Sequence, residues 1–344
     1  MPKRVLFGLV LAAVLLALTL GTIELAYRYQ WVDTYRVELR AYNPPDILRG
    51  ARSGPTLLAL GDSFTAGTGA YPDALIALLP GWRIVNGGLP GTGIVQANIV
   101  APRRLRTFKP AVCVYQLFAG NDLFDIRYPA GGARLSPARR LYWFLASRAR
   151  SLAFINYRLG QWRAGAPATY APFQPSPAPP QDFSPDRYDP RERLYLAAEP
   201  TLLEDQVLVS PRRAADYGRL LRGLARLRDL CRESGSPLVL LVIPHAAQVA
   251  PVYRERMQKL GAAFSAPERM AEPDYPFLAG IRQAFSGDPD VVVVNPLPAL
   301  QASERKGVPV YFANDGHLNR AGQECVARML VSPAVDNLSL RQAR

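Results

Sequence analysis

Thr56-Leu57-Leu58-Ala59-Leu60-Gly61-Asp62-Ser63-Phe64-Thr65 is a short apolar run broken by a glycine, an acid and a hydroxyl residue. Four apolar residues in succession, with no polar alternation, suit a strand covered on both faces, as strands are in a parallel sheet flanked by helices. Gly61 permits the tight turn that must leave such a strand. Ser63 then falls where the strand ends and a helix starts, the edge at which open α/β sheets hold their ligands. A helix N-terminus there favours negative charge developing beside the hydroxyl.

The same rhythm continues on the C-terminal side. Further strands are expected at Arg83 to Val85, Val112 to Phe118, Leu238 to Ile243 and Val291 to Val294, separated by segments of helical periodicity. One helix carries Leu220, Leu221, Leu224, Leu227 and Leu230 on one face and Arg219, Arg222, Arg226 and Arg228 on the other. It should end at Ser234-Gly235-Ser236-Pro237. A closing helix is expected from near Asn319 to about Leu330. Together these predict an α/β fold with about five parallel strands.

Composition narrows the chemistry. The chain has 344 residues, 49% hydrophobic and 20% charged, enough apolar side chain for a full core, which excludes wholesale disorder. Three cysteines, Cys113, Cys231 and Cys325, form neither a closed disulfide framework nor a zinc pattern and read as core residues. Only two histidines are present, His245 and His317, so a His-rich metal site is excluded and no metal or cofactor is expected. With 41 basic against 28 acidic residues the net charge is +13, which favours an anionic partner.

The N-terminus chooses among such partners. After Lys3 and Arg4, Val5 to Ile23 contains no charged residue. Nineteen residues span about 28 Å as a helix, close to the ~30 Å hydrocarbon core of a bilayer and longer than the ~7–15 apolar residues of a cleaved signal. The run leaves through Glu24, Tyr27, Arg28, Tyr29 and Trp31, residues suited to a membrane interface. Residues 1–29 are therefore expected to be an uncleaved single-pass anchor with the large domain outside the cytoplasm, in the periplasm. That location disfavours nucleic acid as the partner. Residues 30–54 read as a juxtamembrane linker.

From about Arg127 to Glu204 the strand–helix rhythm stops, and this stretch is read as an insertion. Between Asp125 and Asp182 lie eight arginines and no acid, interleaved with Tyr142, Trp143, Phe144, Phe154, Tyr157 and Trp162. Leu141, Phe144, Leu145, Leu152, Ile155 and Leu159 can share one face of a helix or helix pair. Pro167 to Pro190 then holds eight prolines in 24 residues, an extended segment. The basic, aromatic part could lie on an anionic membrane surface, wall a cleft for an acidic or sugar substrate, or form a helical cap with a solvated basic face.

Three more motifs follow the strands. Asn86-Gly87-Gly88-Leu89-Pro90-Gly91 is a glycine-rich turn able to present backbone N–H groups, and Gly120-Asn121-Asp122 offers an amide side chain. Asn314-Asp315-Gly316-His317-Leu318-Asn319 sets an acid two residues before a histidine. Each is weak alone, but their common position beyond strand ends, in this order, is specific. In these four blocks the chain resembles the SGNH (GDSL-type) hydrolase family, from roughly Pro55 to Leu330 apart from the insertion.

The resemblance implies a flavodoxin-like three-layer α/β/α sandwich and a serine ester hydrolase. It implies Ser63 as nucleophile, His317 as general base and Asp315 as the residue that orients it. It also implies an oxyanion hole of the Ser63 N–H, Gly91 and Asn121. Two departures stand out. Many members place the acid three residues before the histidine, where this chain has Asn314, and Asp315 is preferred because only a carboxylate stabilises an imidazolium. The third block reads Ala119-Gly120-Asn121-Asp122 in place of a double glycine. His245, after the fourth strand, is a candidate substrate contact.

The expected domains are the anchor, the linker, a hydrolase domain over 55–332 with its insertion at about 127–204, and a tail over 333–344. The function expected is removal of O-acyl groups, acetyl above all, from an envelope or exported polysaccharide through an acyl-enzyme. The alternatives are a lysophospholipase or thioesterase, an O-acetyltransferase, or a glycan-binding scaffold without turnover.

Overall fold

The computed structural model describes residues 3–36, 39, 48–50, 53–126, 137–146, 148–163 and 182–342. The chain divides into two compact units, one formed by Met1–Val37 with Gly132–Thr169 and the other by Glu38–Gly131 with Tyr170–Arg344. The first holds α1 (Lys3–Arg28), α5 (Pro137–Ala146) and α6 (Arg150–Arg163). The proline-rich segment over 164–181 lies outside the described residues.

The second unit carries six strands: β1 (Leu48–Gly50), β2 (Thr56–Leu60), β3 (Arg83–Asn86), β4 (Val112–Phe118), β5 (Leu238–Ile243) and β6 (Val291–Val294). The five expected strands are present almost to the residue. Between β2 and β4 run α2 (Tyr71–Leu78) and α3 (Ile94–Phe108), and α4 (Asp122–Ile126) follows β4. Before β5 come α7 (Pro190–Ala198), α8 (Leu202–Val207) and α9 (Ala214–Glu233). Four short helices, α10 (Ala246–Val249), α11 (Pro251–Lys259), α12 (Pro267–Met270) and α13 (Pro276–Ala284), separate β5 from β6. The chain closes with α14 (Leu297–Arg305) and α15 (Arg320–Gln342).

The strands lie in the order β1-β3-β2-β4-β5-β6. All neighbours are parallel except β1, which pairs antiparallel with β3 at the edge, Leu48 opposite Val85. Without β1 this is the flavodoxin-like order. From β2 the chain steps outward to β3, then returns across β2 to β4. Right-handed crossovers therefore send α2 and α3 to opposite faces, giving three layers. Helix α2 packs with α15 and α3 with α9. Strands β2, β4 and β5 are buried at every residue, which is why their sequences show apolar runs and no alternation.

In α9 the buried face is Leu220, Leu224, Leu227 and Cys231, while Leu221 and Leu230 are only partly covered. Cys113, Cys231 and Cys325 are free and buried.

The helix expected to start at Ser63 is not found, since residues 63–65 form a turn and the next helix begins at Tyr71; three further expectations need correcting. Residues 48–50, within the expected linker, form the edge strand β1, three residues too short to leave a periodic signal. The C-terminal helix passes Leu330 and runs to Gln342, so 333–342 are helix and not a tail; Ala334, Leu338, Leu340 and Gln342 favour helix and outweigh the single proline at 333. The insertion is not one body. Residues 137–163 belong to the first unit, whereas 182–204 pack in the second, where Tyr188, Leu196 and Leu203 share a small core with Ala247 and Met257.

Candidate active site

The site is built where β2 and β4, neighbours in the sheet, deliver their chain ends at the point where strand order reverses. After Leu60 the turn is closed by Asp62, whose carbonyl accepts from the Thr65 and Ala66 N–H groups at 3.2 and 3.0 Å. Its carboxylate accepts from the Phe64 N–H at 2.8 Å. Gln116 of β4 holds the same turn, its Oε1 accepting from the Asp62 N–H at 3.1 Å and the Thr65 hydroxyl at 3.0 Å. Ser63 is left half-buried at the apex.

The glycine-rich turn after β3 lies directly against this apex. The Gly87 and Leu89 N–H groups donate to the Ala59 and Gly61 carbonyls at 2.7 and 2.9 Å, extending the ladder beyond the strand ends. Asn86 ties the two together, its side-chain amide donating to the Thr65 carbonyl at 2.8 Å and its Oδ1 accepting from the Gly88 N–H at 3.0 Å. A Cβ on Gly88 would sit 2.5 Å from the Ala66 nitrogen, so the approach requires glycine. Gly91, beyond the turn, is exposed and has a φ of +68°, a conformation that favours glycine.

His317 arrives from the far end of the chain on a small antiparallel turn. Tyr311 bridges Leu318, and the Phe312 N–H donates to the His317 carbonyl at 3.1 Å. Its Nε2 lies 2.7 Å from Ser63 Oγ. Its Nδ1 is hydrogen-bonded to Asp315 Oδ1, which also accepts the His317 backbone N–H at 2.9 Å. With the Nδ1 proton held by the carboxylate, the network assigns Nε2 as the acceptor facing the serine. The imidazole packs on the Phe64 ring, centroids 4.7 Å apart.

Asn314, at the alternative position for the acid, is occupied elsewhere. Its side chain accepts from the Ser184 N–H at 2.7 Å and donates to the Asp182 carbonyl at 3.1 Å, pinning the far end of the insertion beside the site.

The histidine–aspartate contact shifts each partner towards its charged form. Burial of the His317 ring lowers its pKa, but the hydrogen bond and charge of Asp315, with Asp62 and Glu192 acting at longer range, outweigh it and raise the pKa above the ordinary imidazole value. Burial likewise opposes ionisation of Asp315, and His317 overcomes it, holding the carboxyl below its usual range. Asp62 behaves in the opposite sense. It is buried, only one of its oxygens is hydrogen-bonded, and burial pushes its pKa up to about 6.

Asn121 lies between β4 and α4, with its side-chain Oδ1 buried and without a hydrogen-bond partner. Gly120 before it admits no side chain, because a Cβ would meet the Phe118 ring at 2.6 Å and His245 at 2.8 Å. The Asp122 carboxylate accepts the Phe118 N–H at 2.9 Å.

His245 is almost fully buried. Its Nδ1 accepts from the Ala247 N–H at 3.1 Å, and its Nε2, with no hydrogen-bond partner, points 3.6 Å from Glu192 Oε1. Glu192 also comes close to Gly316, between Asp315 and His317. Sequence reasoning missed Glu192, because it stands just beyond the proline-rich segment in no recognisable motif. Among the described residues no cluster of three or more His, Cys, Asp or Glu could hold a metal ion.

The turns after β2 and β3 and the turn that carries His317 meet at the carboxyl edge of a flavodoxin-like sheet, where such sheets hold their ligands. No protein-family model matches the chain, and no curated protein matches it. Among solved structures it is similar to Axe2, an acetylxylan esterase from Geobacillus stearothermophilus, at 14% identity, covering 82% of this chain and 94% of that one with a TM-score of 0.39. A variant described as an acetyl-xylooligosaccharide esterase matches at 14% identity over the same shares, with a TM-score of 0.41. The protein YxiM from Bacillus subtilis matches at 10% identity over 84% of this chain and 57% of that one, with a TM-score of 0.42.

Proposed function

We propose that this protein is a serine ester hydrolase that removes O-acyl groups, acetyl foremost, from an envelope or exported polysaccharide. In this reading its catalytic unit is held outside the cytoplasm by α1. The observation that carries the chemistry is the contact of Ser63 Oγ with His317 Nε2 at 2.7 Å, with Asp315 on the other ring nitrogen.

The steps follow from that array. Ser63 Oγ attacks the ester carbonyl carbon while its proton passes to His317 Nε2. The new imidazolium is stabilised by Asp315, and the oxyanion by donors from the Ser63 N–H, Gly91 and Asn121. Collapse breaks the bond to the sugar oxygen, which leaves with the proton from Nε2. The acyl group stays on Ser63. Water then gives its proton to Nε2 and attacks the acyl carbon, and collapse frees the carboxylic acid and returns the hydroxyl.

The net charge of +13 supports an anionic polymer as substrate. α1 is 26 residues long, and its 18-residue apolar window has a mean hydropathy of 2.5 and no buried residue, which supports membrane attachment.

The test is a fluorophosphonate probe together with p-nitrophenyl esters of increasing chain length. The wild type should be labelled and Ser63→Ala should not. Absence of labelling on folded wild type would leave only a glycan-binding role. Preference for long acyl chains would instead point to a lipid substrate.

A further inference from the structure

The basic, aromatic part of the insertion is not used by the chemistry above, and its packing in the first unit suggests a role. The Glu24 carboxylate, one residue past the apolar run of α1, accepts from the N–H groups of Arg150 and Ser151 at 2.9 and 2.8 Å and from the Ser151 hydroxyl at 2.7 Å. A carboxylate on the free N–H groups of a helix start is a cap, here supplied by a helix more than a hundred residues away. The attachment is reinforced on both sides. Arg28 donates to the Arg148 carbonyl at 2.7 Å, and Arg158 to the Thr34 carbonyl at 3.1 Å. Tyr27, Tyr35 and Phe154 close the joint, with ring centroids 5.3 to 6.3 Å apart.

The α5–α6 pair is thus fixed at the depth where α1 ends its apolar run. Among the described residues, its exposed side chains include a cluster of large apolar ones. Leu141, Phe144 and Leu145 share one face of α5 and are 59%, 53% and 44% exposed. Ile155 and Leu159 on α6 and Trp31 at the exit of α1 are exposed as well. Among the described residues, exposed large apolar side chains of the second unit are scattered singly, whereas here they gather in one small unit, as at a lipid or partner contact. Arginines accompany them with no acid between Asp125 and Asp182, and Arg148 lies over the Phe144 ring at 3.6 Å.

We infer that the α5–α6 pair is an interfacial platform that seats on anionic phospholipid beside the spanning helix. Leu141, Phe144, Leu145, Ile155 and Leu159 would enter the boundary of the acyl chains, with arginines at the headgroups. The platform would fix the height and tilt at which the chain leaves the membrane. The inference rests on the spanning reading of α1 and is independent of the ester chemistry.

The experiment uses the full chain in vesicles of phosphatidylethanolamine and phosphatidylglycerol. An environment-sensitive dye is placed on Phe144→Cys, on Ile155→Cys as a second site, and on Leu15→Cys in α1, the native cysteines being buried. Lipids carrying a nitroxide near the headgroup or near the chain end then report depth. The expected result is quenching at 144 and 155 by the shallow nitroxide and at 15 by the deep one. Replacing phosphatidylglycerol by phosphatidylcholine should weaken quenching at 144 and 155 several-fold and leave 15 unchanged. Water-like emission at 144 and 155, with 15 still deep, would overturn the platform and spare the spanning helix. Loss of deep quenching at 15 would overturn the spanning reading itself. Quenching at 144 insensitive to lipid charge would overturn the anionic preference.

Discussion

His317 Nε2 and Ser63 Oγ stand 2.7 Å apart although 254 residues separate them in the chain. The contact is made by two turns at the same sheet edge, each held by its own network: Asp62 and Gln116 around the serine, the Tyr311–Leu318 bridge under the histidine. Most of the expected behaviour of the protein follows from these two anchors.

The acidic limb of the pH–rate profile should lie above the ordinary imidazole value. His317 must be neutral to accept the serine proton, and Asp315 holds its pKa up. Asp315→Asn should lower kcat by about 10⁴-fold and bring the limb below that of the wild type. Ester hydrolysis across pH 5–9 (roughly the range over which histidine titrates) measures both. An unmoved limb would exclude His317 as the base.

Asp62→Asn separates stability from pH dependence. The folded pKa of Asp62 is raised to about 6 from 3.8, so the folded state binds the proton more tightly than the unfolded one. Stability from this group is therefore fully present below about 3.8 and declines as pH rises to about 6, a loss of up to about 3 kcal/mol. Asn keeps an acceptor for Phe64 and carries no charge. It should raise the unfolding temperature at pH 8 relative to wild type, with the gain shrinking towards pH 4 (roughly the unfolded carboxyl pKa). Because Asp62 also raises the His317 pKa, the acidic limb should move to lower pH.

Asn121→Ala tests the proposed oxyanion donor. Loss of one donor to the tetrahedral intermediate should reduce kcat by about 10²–10³-fold with little change in KM or in unfolding temperature. A change confined to KM would assign the residue to ground-state binding.

Two glycines of one motif should respond differently to alanine. A Cβ on Gly88 meets the Ala66 backbone, which cannot yield without moving the turn after Ser63, so Gly88→Ala should cost about 1–3 kcal/mol and most of the activity. Gly91 has open space around it and only its left-handed φ to lose, so Gly91→Ala should cost about 1–2 kcal/mol. Urea unfolding of both variants checks the order.

Away from the site, Arg213 is buried between Glu199 at 3.3 Å and Asp216 at 3.7 Å. Arg213→Met leaves two buried carboxylates without this partner and should destabilise by about 3–5 kcal/mol. Thermal unfolding at pH 7 (about three units above a normal carboxyl pKa) measures it, and a shift under 1 kcal/mol (about the value of an exposed pair) would show that the burial is compensated.

Parallel strands buried on both faces were legible as apolar runs, because their environment admits few other residues; β2, β4 and β5 needed only local sequence. The serine, the histidine and the glycine turns were legible as types and order. Strand β1 was not, since three edge residues carry no period. Asp315, and not Asn314, as the partner of His317 was argued from charge in the sequence, while only the folded chain shows the amide of Asn314 engaged by residues 182 and 184. Glu192 beside His245, the split of the insertion between two units and the Glu24 cap on α6 were decided by tertiary structure alone. Each depends on chain segments far apart in sequence meeting at a definite distance, and local propensity carries no information about that distance.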